Sequence, residues 1–83
     1  MIFQKNIFKN KNTLITGATG KIGEEISKSF ANLESNLILI DKNISKLRNL
    51  KKKIQKKNIK IHIFQCNFLS QKSRIILLSK LRK

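Results

Sequence analysis

Thr16-Gly17-Ala18-Thr19-Gly20-Lys21-Ile22-Gly23 follows the apolar pair Leu14-Ile15 and opens a stretch of helical periodicity, and that junction decides the fold. Glycines at such spacing let a chain turn sharply from strand to helix, bring a diphosphate against bare backbone, and aim the free N–H groups of a helix start at its charge. A glycine triplet alone is a weak signal; a strand before it and a helix after it make it specific. Asn12-Thr13-Leu14-Ile15-Thr16 is short and β-favouring, as expected of a strand in a parallel sheet. Behind the loop, Ile22, Ile26, Phe30 and Leu33 recur at intervals of four, four and three. This spacing predicts a helix running to about Leu33 with those residues as its apolar stripe. Glu24 and Glu25 fall in its first turn, where the helix dipole favours negative charge.

Asn36-Leu37-Ile38-Leu39-Ile40 predicts a second strand, ending at Asp41. Asp41 lies 18 residues after Gly23, close to the roughly 20-residue offset at which an acid accepts hydrogen bonds from the adenosine ribose in a dinucleotide-binding βαβ unit. Its charge would repel a 2′-phosphate, which favours NAD over NADP; the alternative role is a cap on the next helix. Between Lys42 and Lys57, Ile44, Leu47, Leu50 and Ile54 form a second helical stripe, with lysines 46, 52, 53, 56 and 57 largely off it. Ile59 to Gln65 alternates isoleucine with more polar residues and predicts a third strand at a sheet edge, where Lys60 and His62 meet solvent. Gln71 to Lys83 reads as a helix cut before its end, with Ser70 as N-cap and Ile75, Leu78 and Leu81 as its apolar positions. The expected fold is α/β: a partial Rossmann unit, βαβαβ, with a three-stranded parallel sheet ordered 3-2-1 and a C-terminal helix. It occupies residues 1–83 as a single partial domain, of which 1–10 form an N-terminal extension.

From about Phe8 to Lys83 the chain resembles the N-terminal part of a short-chain dehydrogenase/reductase. The resemblance rests on Asn12 to Gly23, on Leu37-Ile38-Leu39-Ile40-Asp41, and on Phe64-Gln65-Cys66-Asn67-Phe68. It implies an NAD(P) cofactor and a binding set of Gly17, Thr19, Gly20, Lys21, Ile22, Gly23, Asp41 and Asn67, with Gly17, Gly20 and Gly23 lining the pyrophosphate, Ile22 beside it, and Asp41 on the adenosine ribose. Lys21 stands where many members carry another glycine, which brings the spacing closer to the extended branch. Asn67 replaces the usual aspartate near the adenine amino group, and its amide still offers an acceptor. The family's catalytic tyrosine and lysine lie beyond the third strand, and this chain has no tyrosine. The resemblance therefore implies a cofactor-binding segment of an oxidoreductase with no catalytic residue of its own, inactive alone.

Composition bounds the remaining readings. Eighty-three residues allow one small domain, and a unit of this size buries only about 60% of its unfolded surface. One cysteine excludes an internal disulfide, and Cys66 with His62 does not make a four-ligand zinc site. The opening Met1 to Phe8 has no long apolar core, and the longest apolar runs are four residues, so neither a signal peptide nor a membrane span is expected; the default location is the cytoplasm. Cys66 reads as a small buried residue and His62 as a plain strand residue, since neither has a partner nearby in sequence. Gly20-Lys21 does not make a Walker loop, because Ile15 and Ile22 occupy positions that need a glycine and a hydroxyl residue.

The net charge is +15, and residues 42–83 carry +14 of it with no acid. Such a surplus attracts polyanions, so a small non-catalytic protein binding nucleic acid is the alternative function. Against it, 16 lysines stand against three arginines beside 14 isoleucines and nine asparagines, the usage of an A+T-rich coding sequence, and no aromatic lies between Phe30 and Phe64 for base stacking. A solvated basic face is the plainer reading. Finally, strand one would be central in a complete sheet, so its bare edge predicts self-association or pairing with a separately encoded C-terminal half.

Overall fold

A computed structural model describes residues 9–81, which alternate strand and helix: β1 (Asn12–Thr16), α1 (Lys21–Asn32), β2 (Asn36–Asp41), α2 (Ile44–Ile54), β3 (Ile61–Gln65) and α3 (Gln71–Leu81). Of the expected N-terminal extension, residues 1–8 lie outside the described residues. The strands form one parallel sheet in the order β1-β2-β3, which is the expected 3-2-1 arrangement. Asn12 pairs with Asn36 through Thr16 with Ile40, and Leu37 with Ile61 through Asp41 with Gln65. β1 and β3 are both edges, and β3 leaves His62 exposed as expected.

Side chains along β2 alternate between two cores, as the period of two in a strand requires. Leu37 and Leu39 join Ile15, Ala31, Leu47, Leu50, Ile54, Ile59 and Ile61 in a cluster under α1 and α2. Ile38 and Ile40 face the other way, where Ile40, Cys66 and Leu77 form a smaller cluster under α3. The stripe expected on α2 is the buried one, led by Leu47, Leu50 and Ile54, each worth about 1.5–3 kcal/mol when removed from water. Asn43 caps this helix by accepting from the Lys46 amide at 3.0 Å, so Asp41 is free of the capping role.

Two helices bury a face that matches only part of the one their periodicity indicates; of the expected α1 stripe, Phe30 packs partly against the main core and Leu33 is partly buried. On α1, Ile22 is 77% exposed and Ile26 41%, while Ser27 and Ala31 are buried. The reason is closeness. A Cβ on Gly23 would lie 2.0 Å from the Gly17 carbonyl oxygen, so α1 approaches the loop through the small residues Gly23, Ser27 and Ala31. The Ser27 hydroxyl is satisfied by donating to the Gly23 carbonyl at 2.7 Å. On α3, Leu77 is buried and Leu81 packs partly, whereas Ile75 and Leu78 are exposed. Ile75 to Leu78 is apolar on every side of the helix, so contact with Ile40 and Cys66 selects Leu77, not the pattern. Ser70 caps α3 as expected, accepting from the Ser73 amide at 3.2 Å.

Helix α1 ends in a turn where Glu34 has φ +63°, with the Glu34 and Ser35 amides donating back to Ala31 and Phe30. Glu24 ties α1 to α2 through Lys53 at 3.1 Å. No helix among the described residues is long and apolar enough to cross a membrane.

Candidate functional site

The C-terminal ends of β1, β2 and β3 deliver three segments to one side of the molecule: the loop 17–20, Asp41 with Lys42, and Cys66 to Leu69. In open parallel sheets this is the end at which ligands bind. Gly17, Asp41 and Asn67 line one cavity of about 330 Å³ there, together with Lys42, Cys66, Phe68 and Leu69. Thus three residues expected from sequence, 50 positions apart end to end, meet at one place.

Each glycine of the loop has its own physical status. Gly17 has φ +63°, a backbone state that costs any other residue about 1–2 kcal/mol. Gly23 is required by the close approach of α1 to Gly17 described above. Gly20 differs from both: its φ is −70°, and a Cβ there would meet only the Gly17 carbonyl oxygen at an ordinary 3.4 Å. The fold itself does not demand a glycine at position 20.

Backbone donors in the loop divide into used and open ones. The Ala18 amide donates to Ile40 at 3.3 Å, Thr19 to Asp41 at 2.9 Å, and Gly20 to Gly17 at 3.1 Å. The amides of Lys21, Ile22 and Gly23, at the start of α1, find no acceptor among the described residues. They carry the positive end of the helix dipole, a ready place for an anion. The Lys21 side chain is exposed beside them.

Asp41 is engaged by the loop in a way the sequence does not announce. Its Oδ2 accepts from the Thr19 amide at 2.9 Å and the Thr19 hydroxyl at 2.5 Å, and its Oδ1 accepts from the Lys42 amide at 2.7 Å. Burial acts to raise the pKa of this carboxyl, but the Thr19 hydroxyl, the Thr19 and Lys42 amides and the Lys42 charge outweigh it and hold Asp41 below its ordinary value. The group is therefore an anion at neutral pH. Asn67 is exposed, and its side-chain oxygen accepts from the Leu69 amide at 3.1 Å, which commits one of its two lone pairs to the turn before α3.

A larger open groove of about 760 Å³ runs along α2 beside Ile63 and is lined by Ser45, Arg48, Asn49, Lys51, Lys52 and Gln55. It shares no residue with the loop cavity. Among the described residues no group of His, Cys, Asp or Glu could hold a metal ion.

The arrangement agrees with comparisons to known proteins. The chain superposes on a xylitol dehydrogenase solved with NAD+ bound (TM-score 0.80, 24% identity), covering 90% of this chain and 29% of that one. A metagenomic short-chain oxidoreductase solved with NADP gives 0.77 at 18% identity, covering 89% and 34%. A citronellol catabolism dehydrogenase from Pseudomonas aeruginosa gives 0.84 at 19%, covering 96% and 34%. At these identities the likeness speaks for the fold, and the chain spans about a third of the length of each protein. No curated protein matches the chain in sequence. The model of the short chain dehydrogenase family matches residues 11–83, nearly all of the sequence, and the chain belongs to that family.

Proposed function

We propose that the chain is the NAD(P)-binding segment of a short-chain dehydrogenase, holding the adenosine and diphosphate half of the cofactor and lacking the residues for hydride transfer. The observation that carries this reading is Gly20. Neither backbone strain nor a neighbouring atom excludes a side chain there, yet the position is bare at the mouth of a loop whose next three amides have no acceptor among the described residues. A ligand that comes close to the main chain accounts for both facts, and a diphosphate has the matching charge. The meeting of Gly17, Asp41 and Asn67 around one cavity supports a seat for the adenosine end, and the charge of Asp41 supports a ribose role with NAD preferred over NADP. Lys21 adds a cation beside the phosphates. When bound, the nicotinamide supplies the hydride acceptor or donor; this chain's part is to bind and orient.

The test uses Gly20→Val, which suits the extended backbone at that position. Calorimetry is expected to show NAD binding to the native chain and its loss in the variant, with an unchanged circular dichroism melt. Equal affinity in both proteins would overturn the assignment.

We further propose that a second polypeptide segment, in the same protein or a separate one, covers the β1 edge. Leu14 lies half exposed on the α3 side of β1, and Ile75, Ile76 and Leu78 are exposed on α3 itself. Chromatography of the chain alone is expected to show self-association; a stable, cooperatively melting monomer would count against it.

A further inference from the structure

The β3 edge of the sheet carries main-chain groups with no partner among the described residues. The Lys60 carbonyl accepts from the Leu37 amide at 2.9 Å, the Lys60 amide donates to Asn36 Oδ1 at 2.9 Å, and the Cys66 amide donates to the Asp41 carbonyl at 2.9 Å. Residues two apart in a parallel strand turn their main chain to the same side, so His62 and Phe64 also serve β2. Ile61, Ile63 and Gln65 therefore aim their N–H and C=O groups outward, where β3 has no second neighbour among the described residues. Ile63 also lines the groove of about 760 Å³ along α2, so one wall of that groove is helix and the other is free sheet edge.

The helix wall is basic. Arg48, Lys51 and Lys52 line it, and none of them makes an ion pair among the described residues. The chain has no acid of its own to place there. Glu24, Glu25 and Glu34 already face Lys53, Lys28 and Lys9, Asp41 is held by Thr19 and the Lys42 amide, and neither residues 1–8 nor residues 42–83 contain an acidic side chain. A second copy brings only the same four acids, equally engaged.

We propose that this groove is the docking site of an extended, acidic segment of a different polypeptide, which adds to β3 as a further strand. The alternation of a strand supplies the recognition. Main-chain groups of the guest pair with Ile61, Ile63 and Gln65, and every second side chain stands on the α2 side, where a carboxylate meets Arg48, Lys51 or Lys52. A nucleic acid matches the same surface less completely. Its phosphates only accept, so the outward carbonyls of β3 would go unmatched, and no aromatic side chain lines the groove for stacking. The groove shares no residue with the cavity of Gly17, Asp41 and Asn67, so this inference stands apart from the dinucleotide reading.

Hydrogen exchange on the full chain, read amide by amide, tests this with three probes: a peptide of about six residues alternating glutamate and valine, an isomer with its glutamates in one block, and an oligothymidylate of matching charge. In the free chain the amides of His62 and Phe64 are expected to be protected and those of Ile61, Ile63 and Gln65 to exchange freely. Saturating alternating peptide is expected to slow these three by about tenfold or more, and the block isomer to leave them fast. Arg48→Glu combined with Lys52→Glu, both at exposed positions, is expected to weaken the alternating peptide by about tenfold or more. Should that variant fail to fold, the exchange pattern of the native chain decides. Peptide binding that leaves the three amides fast would overturn the proposal and reduce the groove to a charged surface, and tighter binding of the oligothymidylate would assign it to nucleic acid instead. Protection of the three amides in the free chain, or no binding of the alternating peptide, would overturn it as well.

Discussion

The two faces of the sheet are unequal. Among the described residues, a cluster of ten buried residues beneath α1 and α2 runs from Ile15 to Ile61, while beneath α3 only Ile40, Cys66 and Leu77 are buried. The difference follows from connectivity. Right-handed crossovers place both helices of a βαβαβ unit on one face, so that face is finished by the chain's own sequence. The other face receives a single helix that keeps Ile75, Ile76 and Leu78 in solvent. Stability and the glycine loop thus depend on the finished face, and the proposed association would use the open one.

The largest expected effect breaks the finished face. Leu47→Ala removes a fully buried side chain and is expected to cost about 2–5 kcal/mol, enough to unfold a chain of this size, whereas Leu77→Ala on the open face is expected to cost clearly less. Urea titrations of the two variants would decide, and equal losses would refute the asymmetry. Gly23→Ala comes next. Its methyl meets the Gly17 carbonyl, so α1 has to move, at about 1–3 kcal/mol by denaturation and with loss of NAD affinity by calorimetry.

A smaller effect concerns pH. The pKa of Asp41 is lowered in the folded chain, so its contribution is complete above the ordinary aspartate value of about 3.9 and is lost as pH falls from there through the folded value. Asp41→Asn is expected to flatten part of the acid limb of the stability curve below about pH 4. Glu24, whose pKa the Lys53 hydrogen bond lowers first and Lys28 next, contributes another part with the same sign. Smallest of all, Leu78→Lys is expected to change stability by no more than about 0.5 kcal/mol while reducing self-association on a sizing column.

Strands and loop were legible because they depend on local chemistry: runs such as Leu37 to Ile40 have few alternatives, and Gly17 answers a backbone need that few residues meet. The stripe on α2 was legible too, since its polar face is unambiguous. What escaped was distance. Apolar periodicity reports which residues avoid water, not how near two elements lie, so the small face Gly23, Ser27 and Ala31 of α1 lost to Ile22 and Ile26. The run Ile75-Ile76-Leu77-Leu78 contains no polar position from which to orient α3. In the site, Gly17 and Asp41 followed from spacing, but the bonds of Thr19 to Asp41 span 22 residues and join two strand ends. The one available signal was a hydroxyl two positions after the first glycine, and it gains meaning only once parallel pairing has set the two ends side by side.

The register of the sheet has a consequence for how the molecule comes into being. Asn12 meets Asn36 and Leu37 meets Ile61, so each strand waits the same 24 residues for its neighbour, and no pairing reaches back past an intervening strand. Short loops of equal length close with modest entropy. A chain can therefore zip up βα by βα in the order of translation, and the glycine loop meets Asp41 as soon as β2 pairs with β1, before β3 and α3 are needed.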